Sequence, residues 1–118
     1  SGHLKEVLTK SNLTNGQIHL FAVGSTGGLT TIEYEPGLKK DIKEFFDKLV
    51  PYGVNYHHHQ TWHDDNGSSH LQASLLKPNI SIPLQDGELV LGTWQQVIFI
   101  DFDTKARKRT VHCQIMGE

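Results

Sequence analysis

The sequence predicts an α+β fold: mostly antiparallel, sandwich-like sheets with one main amphipathic helix and one short helix. Two observations carry this. Segments with period-two alternation, the signature of a half-buried strand, recur along the chain. One segment, after Pro36, repeats its apolar residues at spacings of three and four. With 118 residues, 36% hydrophobic and 20% charged, the chain is the size of one domain (1–118) with one core.

The elements follow in order. Leu4 to Leu8 reads as the tail of a helix ending near Asn12 to Gly16. Gln17 to Val23 alternates Ile18, Leu20 and Ala22 against Gln17, His19 and Phe21, a strand. Gly24-Ser-Thr-Gly-Gly28 breaks it, and Leu29 to Tyr34 reads as a second strand. Pro36 opens the main helix, because a proline N–H would be unpaired in the first turn anyway. Leu38, Ile42, Phe45, Phe46, Leu49 and Val50 form its apolar face, and Pro51 ends it. A His-rich loop follows. A short helix then spans about Ser68 to Leu76, with Leu71, Leu75 and Leu76 facing inward and Asn66 or Ser68 as cap. The rest reads as β: Ile80 to Leu84, a turn at Asp86-Gly87, Glu88 to Leu91, and a long hairpin of Gln95–Phe102 with Arg109–Met116 around Thr104 to Lys108.

Charge and composition narrow the function classes. A net charge of −2 does not suit a nucleic-acid binder that relies on a broad basic surface, and Lys105 to Arg109 reads as a solvated hairpin tip. No apolar run reaches the ~20 residues that span a bilayer. No signal-peptide pattern opens the chain. The single cysteine, Cys113, lies in a strand pattern and reads as a buried structural thiol. Together these point to a cytoplasmic setting.

Chemistry concentrates between Tyr56 and His70, where five of the eight histidines fall together with Asp64, Asp65 and Asn66. His58 and His70 with Asp64 make a two-imidazole, one-carboxylate set suited to zinc or a similar divalent ion with open positions. The spacing matches no short metal motif, and residue types alone leave functional site and surface loop evenly balanced. If the segment is extended and His58 points inward, His57 and His59 point to solvent. Ser25 and Thr26, in the glycine-rich turn, are candidates for cradling a phosphate, although a plain hairpin loop explains them as well. Glu35 is a candidate base or ligand, or a solvated strand-end carboxylate. Thr93 and Trp94 offer a hydroxyl and a large ring, although by sequence alone Trp94 reads as core or interface before ligand platform.

His70-Leu-x-Ala-Ser-Leu-Leu76, the Pro83 to Gly87 turn, Leu89-x-Leu-Gly-Thr-Trp-Gln-Gln96 and the Gly117-Glu118 ending resemble the YjbQ family, also called UPF0047. Tyr56-x-His58-x-x-x-Trp62-x-Asp64-x-Asn66-x-x-x-His70 fits its signature region. The match covers about Gly16 to Glu118, with the family's N-terminal strand missing or truncated. The resemblance implies a homotrimeric α+β fold and weak thiamine-phosphate synthase activity on phosphorylated small molecules. It places His58, Asp64, Asn66 and His70 in a pocket that holds a divalent ion, and matches Glu35 to the family's glutamate. Many members carry His-Thr-Thr where Ser25-Thr26-Gly27 stands here, which leaves two histidines and a carboxylate for any metal. The expected catalytic set is therefore His58, His70, Asp64 and Glu35, with Ser25, Thr26, Asn66, Thr93 and Trp94 binding substrate. Two other readings are a metal-dependent phosphoester hydrolase and a non-catalytic binding or assembly protein.

Overall fold

Strand β1 (Gly16–Val23) is the spine of the molecule, because its inward row of Ile18, Leu20 and Ala22 is almost fully buried. The computed structural model describes residues 2–118. Helix α1 (Gly2–Ser11) precedes β1, and β2 (Gly27–Ile32) follows it. Three helices come next: α2 (Pro36–Leu49), α3 (His57–Trp62) and α4 (Gly67–Leu76). The chain ends with β3 (Asn79–Gln85), β4 (Glu88–Leu89), β5 (Gln96–Asp101) and β6 (Thr110–Gly117).

The strands form two antiparallel sheets, one ordered β4-β3-β1-β6 and the other β2-β5. The core lies between them. Ile18, Leu20 and Ala22 of β1, Ile82 and Leu84 of β3, Leu29 of β2 and Leu8 of α1 form one cluster, with Val97 and Phe99 of β5 packed against it. The α+β, sandwich-like class read from the sequence is the one observed.

Several local expectations hold for the reasons given. Asp86 and Gly87 both have positive φ (51° and 78°) between the paired residues Gln85 and Glu88, the two-residue turn that matches strand twist. Pro36 starts α2, and Val50 leaves the helical region just before Pro51.

Others are corrected. The β5–β6 hairpin does not exist: β5 pairs with β2 and β6 with β1, so residues 102–109 cross from one sheet to the other. Apolar residues on both faces of β5 fit a strand between the core and α2, not one half of a surface hairpin. Gly27 and Gly28 belong to β2, not to the turn. A Cβ at Gly27 would come within 2.6 Å of the Phe99 ring, and one at Gly28 within 2.8 Å of Leu76, so both glycines serve close approach. On α2 only Phe46 is buried, while Phe45 and Leu49 are exposed. On α4 Leu71 and Leu75 face outward and Leu76 is half-buried. The inner face of α4 is Ser68, Ser69, Gln72 and Ala73, because Gln72 Nε2 must reach the carbonyls of Phe46 and Val50 (3.0 Å each) at the end of α2.

A groove of about 470 Å³ runs between α2 and β5, lined by Ile42, Phe46, Ile98, Ile100 and Phe102 among others. Among the described residues the outer edge of β5 has no partner strand.

Gly16 and Gly117 pair across β1 and β6 with φ of 147° and 156°. A Cβ on Gly16 would lie 2.0 Å from the Met116 carbonyl oxygen, whereas one on Gly87 meets nothing within 4 Å. Gly87→Ala is expected to cost about 1–2 kcal/mol, for its left-handed backbone alone. Gly16→Ala is expected to cost more than about 3 kcal/mol, because backbone must move. Urea denaturation of the two variants checks the difference.

Candidate functional site

The His-rich segment is not an extended loop. His57 to Trp62 form the short helix α3, and His63, at φ 55°, turns the chain out of it. On a helix successive side chains diverge by about 100°, so the inward/outward alternation expected of an extended chain does not apply. His57 is exposed, as expected, and so is His63, but His59 turns inward and is half-buried, against the expectation. Its Nε2 accepts the Gly67 N–H at 2.9 Å. The Tyr56 ring stands edge-on to it at 5.7 Å, and the Tyr56 hydroxyl donates to the Pro51 carbonyl.

The structure brings His58, Asp64, Asn66 and His70 together. His58 Nε2 lies 3.2 Å from Asp64 Oδ1 and 3.0 Å from the Asn66 carboxamide. The His58 and His70 rings pack at 4.4 Å, tilted by 56°. Asn66 is buried and precedes α4, so α3 supplies His58, the turn supplies Asp64 and Asn66, and α4 supplies His70. With its NH₂ turned toward Asp64, Asn66 donates to both carboxylate oxygens (3.0 and 3.1 Å) and to His58 Nε2 (3.0 Å). The opposite setting gains a 3.5 Å contact to Asp103 and faces the amide oxygen toward the Asp64 carboxylate. The first setting therefore fits neutral His58. A protonated His58 would instead donate from Nε2 toward Asp64.

A second polar cluster braces this one. Asp103, with a side chain only 1% exposed, pairs with Arg109 Nη2 at 2.5 Å and Arg107 Nε at 3.1 Å, and accepts the Thr104 N–H. Arg109 also reaches Asp101. The Thr104 hydroxyl donates to Asp65, which accepts from the Tyr52 hydroxyl as well. These two hydroxyls hold the Asp65 carboxyl below its usual range. Burial would raise Asp103, but the Thr104 N–H, Arg109 and the Arg107 charge outweigh it and leave that carboxyl lowered too. Sequence reasoning missed Asp103 and Arg109. The signal available was the matched spacing of Asp101-x-Asp103 and Arg107-x-Arg109 across one connection.

The other candidates lie apart or partly apart. Thr26 is buried and its carbonyl accepts the Phe102 N–H, so the Ser25-Thr26 turn sits at the Asp101–Asp103 end of β5. Arg109 Nη1 comes within 3.9 Å of the point where a Cβ on Gly24 would stand. Thr93 and Trp94 precede β5 at its opposite end, a strand length of about 20 Å away, and Trp94 is 71% exposed. Glu35 is the N-cap of α2, its carboxylate accepting the Gly37 and Leu38 N–H groups. It stands a helix length, about 21 Å, from the carbonyls that Gln72 holds. Cys113 is half-buried and unpaired, and burial pushes its thiol up.

The donor types of His58, His70 and Asp64 suit a divalent ion. As arranged, however, they contact one another, and among the described residues no three His, Cys, Asp or Glu side chains form a group that could hold an ion.

The profile of the YjbQ-like UPF0047 proteins matches residues 1–118. The chain belongs to that family. A UPF0047 protein of Archaeoglobus fulgidus is 39% identical over 97 residues, covering 82% of this chain and 75% of the relative. Among solved structures, a hypothetical protein from Aeropyrum pernix superposes with a TM-score of 0.92 at 32% identity, covering 99% of this chain and 85% of that one. A YbjQ-like protein of unknown function from Sulfolobus solfataricus also gives 0.92, at 29% identity over 99% and 83%. The family membership read from the motifs thus stands, and the match extends over the N-terminal helix as well.

The lowered Asp103 carboxyl makes a prediction. A depressed folded-state pKa contributes stability that is present above the unfolded value, about 3.9, and is lost as pH falls through the folded one. Asp103→Asn is expected to unfold more easily at pH 7, since two guanidinium groups lose their buried partner. It is also expected to lose less further stability than the wild type between about pH 4 and pH 2. Thermal melts across that range check both.

Proposed function

We propose that this family member is a small-molecule enzyme acting on phosphorylated substrates, with chemistry like that of a secondary thiamine-phosphate synthase. The observation that supports it best is the half-buried His58–His70 pair, with His58 in contact with Asp64 and Asn66. Imidazole is the side chain most often used for proton transfer, and a carboxylate beside it can orient the ring. Asp64 and Asn66 both contact the His58 ring nitrogen and fix its direction. The Ser25-Thr26 turn lies at the Asp101–Asp103 end of β5, where the Ser25 hydroxyl and backbone N–H groups can receive anionic oxygens; Arg109 beside it is paired with Asp101 and Asp103.

In the thiamine-phosphate reaction a carbon–nitrogen bond forms between a pyrimidine methylene and a thiazole phosphate, while the carbon–oxygen bond to pyrophosphate breaks. The pyrophosphate keeps the bonding electrons, so the site must bind growing negative charge. A divalent ion, zinc or similar, remains a proposed cofactor on the donor chemistry of His58, His70 and Asp64, and no step above depends on it. Glu35 keeps a place in the reading only as a residue that organises α2. Thr93 and Trp94 keep theirs only if another copy brings them to the site. A cytoplasmic setting belongs to the same reading; the structure's own contribution is that no described helix is long and apolar enough to cross a membrane.

The homotrimer implied by the family resemblance is part of the proposal. The chain exposes 8107 Å², against about 6,500 Å² for a compact monomer of this size. Its radius of gyration is 16.4 Å, against about 13.5 Å. Phe45, Leu49, Leu71, Leu75 and Trp94 are all exposed, apolar side chains that contacts between copies would cover.

Two measurements test these readings. With the pyrimidine pyrophosphate and thiazole phosphate pair, His70→Ala is expected to lose turnover by about 10²-fold or more, and undiminished turnover removes the mechanism. Metal-stimulated phosphate release from generic esters would favour the hydrolase reading instead. Sedimentation equilibrium is expected to give three times the chain mass, and a monomer at micromolar concentration would end the assembly proposal.

A further inference from the structure

Helix α3 cannot hold its own place. It has six residues and no side-chain cap, and isolated helices below ~12 residues are marginal even with favourable sequences. The direction of His58 must therefore be set by a tertiary contact. Beside the contacts of His58 itself with Asn66 and His70, a second α3 side chain reaches α4: His59, whose Nε2 accepts the N–H of Gly67, the first residue of α4. The α4 N-cap residue, Asn66, makes no side-chain capping bond because its carboxamide is committed to Asp64 and His58. The fit around this bond is tight. A Cβ on Gly67 would stand 2.8 Å from Tyr56 Cβ and 2.9 Å from His59 Nε2. Tyr56 in turn is tied to Pro51 at the end of α2.

We propose that His59 is a positioning residue: it caps α4 from the neighbouring helix and so fixes the spacing of His58, Asn66 and His70. Asn66 lies one residue before the capped N–H, and His70 lies one turn after it. His58 is the residue next to the cap on α3. This hydrogen bond, backed by the Tyr56 ring, thus joins the two helices that carry the imidazole pair. Accepting an N–H requires a lone pair on Nε2, so His59 carries its proton on Nδ1. The inference rests on the proposed role of the His58–His70 pair, but its test uses the resting protein.

Long-range ¹H–¹⁵N spectra at neutral pH are expected to show His59 as the Nδ1–H tautomer, and an Nε2–H tautomer overturns the proposal. His59→Gln keeps an acceptor and is expected to retain the His58–His70 ring contacts and the slow exchange of the Gly67 amide. His59→Phe keeps a ring against Tyr56 but has no acceptor. It is expected to lose those ring contacts and to speed Gly67 exchange at least tenfold. Unchanged His58 and His70 signals in His59→Phe would overturn the proposal. If His59→Phe does not fold, the wild-type tautomer and the His59→Gln spectra still decide. Absence of turnover in the wild type would remove the enzymatic reading and leave this result standing.

Discussion

The buried Asp103 carboxylate is the constraint on which much of the architecture rests. The chain must leave the β2-β5 sheet and enter the four-stranded sheet within residues 102–109. That crossing carries two arginines, and Asp103 gathers both. A carboxylate this buried persists as an anion only because it is paired and hydrogen-bonded. Once it is fixed, Thr104 beside it is fixed, and the Thr104 hydroxyl holds Asp65 in the turn that carries Asp64 and Asn66. The crossing between sheets and the shape of the candidate site are therefore one problem with one solution.

Helix α4 translates this bracing into site geometry. Its inner face is polar where a surface helix would be apolar, because Gln72 must donate to two carbonyls at the end of α2. Ser69, also on that face, leaves its hydroxyl without a partner in the structure. Leucines that the helical spacing assigned to the core are displaced outward, where they add to an exposed apolar surface.

Where local rules decide conformation, the sequence was readable. The alternation of β1, the Asp86-Gly87 turn and the proline-bounded α2 each follow from the chemistry of a few adjacent residues. The grouping of His58, Asp64, Asn66 and His70 was expected from the resemblance to the family's signature region, and the structure brings the four together. What was not legible depends on partners distant in sequence. Nothing within Gln95–Met116 says that β5 and β6 belong to different sheets, since the decision lies with β1, β2 and the Asp103 pairs. Helix α3 has no apolar period to announce it, and the role of His59 appears only once Gly67 is seen beside it. Glu35 looked like a chemical group because an acid at a strand end and an acid at a helix N-cap are the same letter.

The outer edge of β5 has a further consequence. Half of the backbone N–H and C=O groups of Gln96–Asp101 face away from β2, flanked by Ile98 and Ile100 on one side and by Val97 and Phe99 on the other. Such an edge is a template for any extended chain that reaches it. It has no proline and no inward charge to refuse a stranger, and only Asp101 marks its end. Whatever covers β5 in the assembled protein therefore also decides which extended chains can add to this sheet.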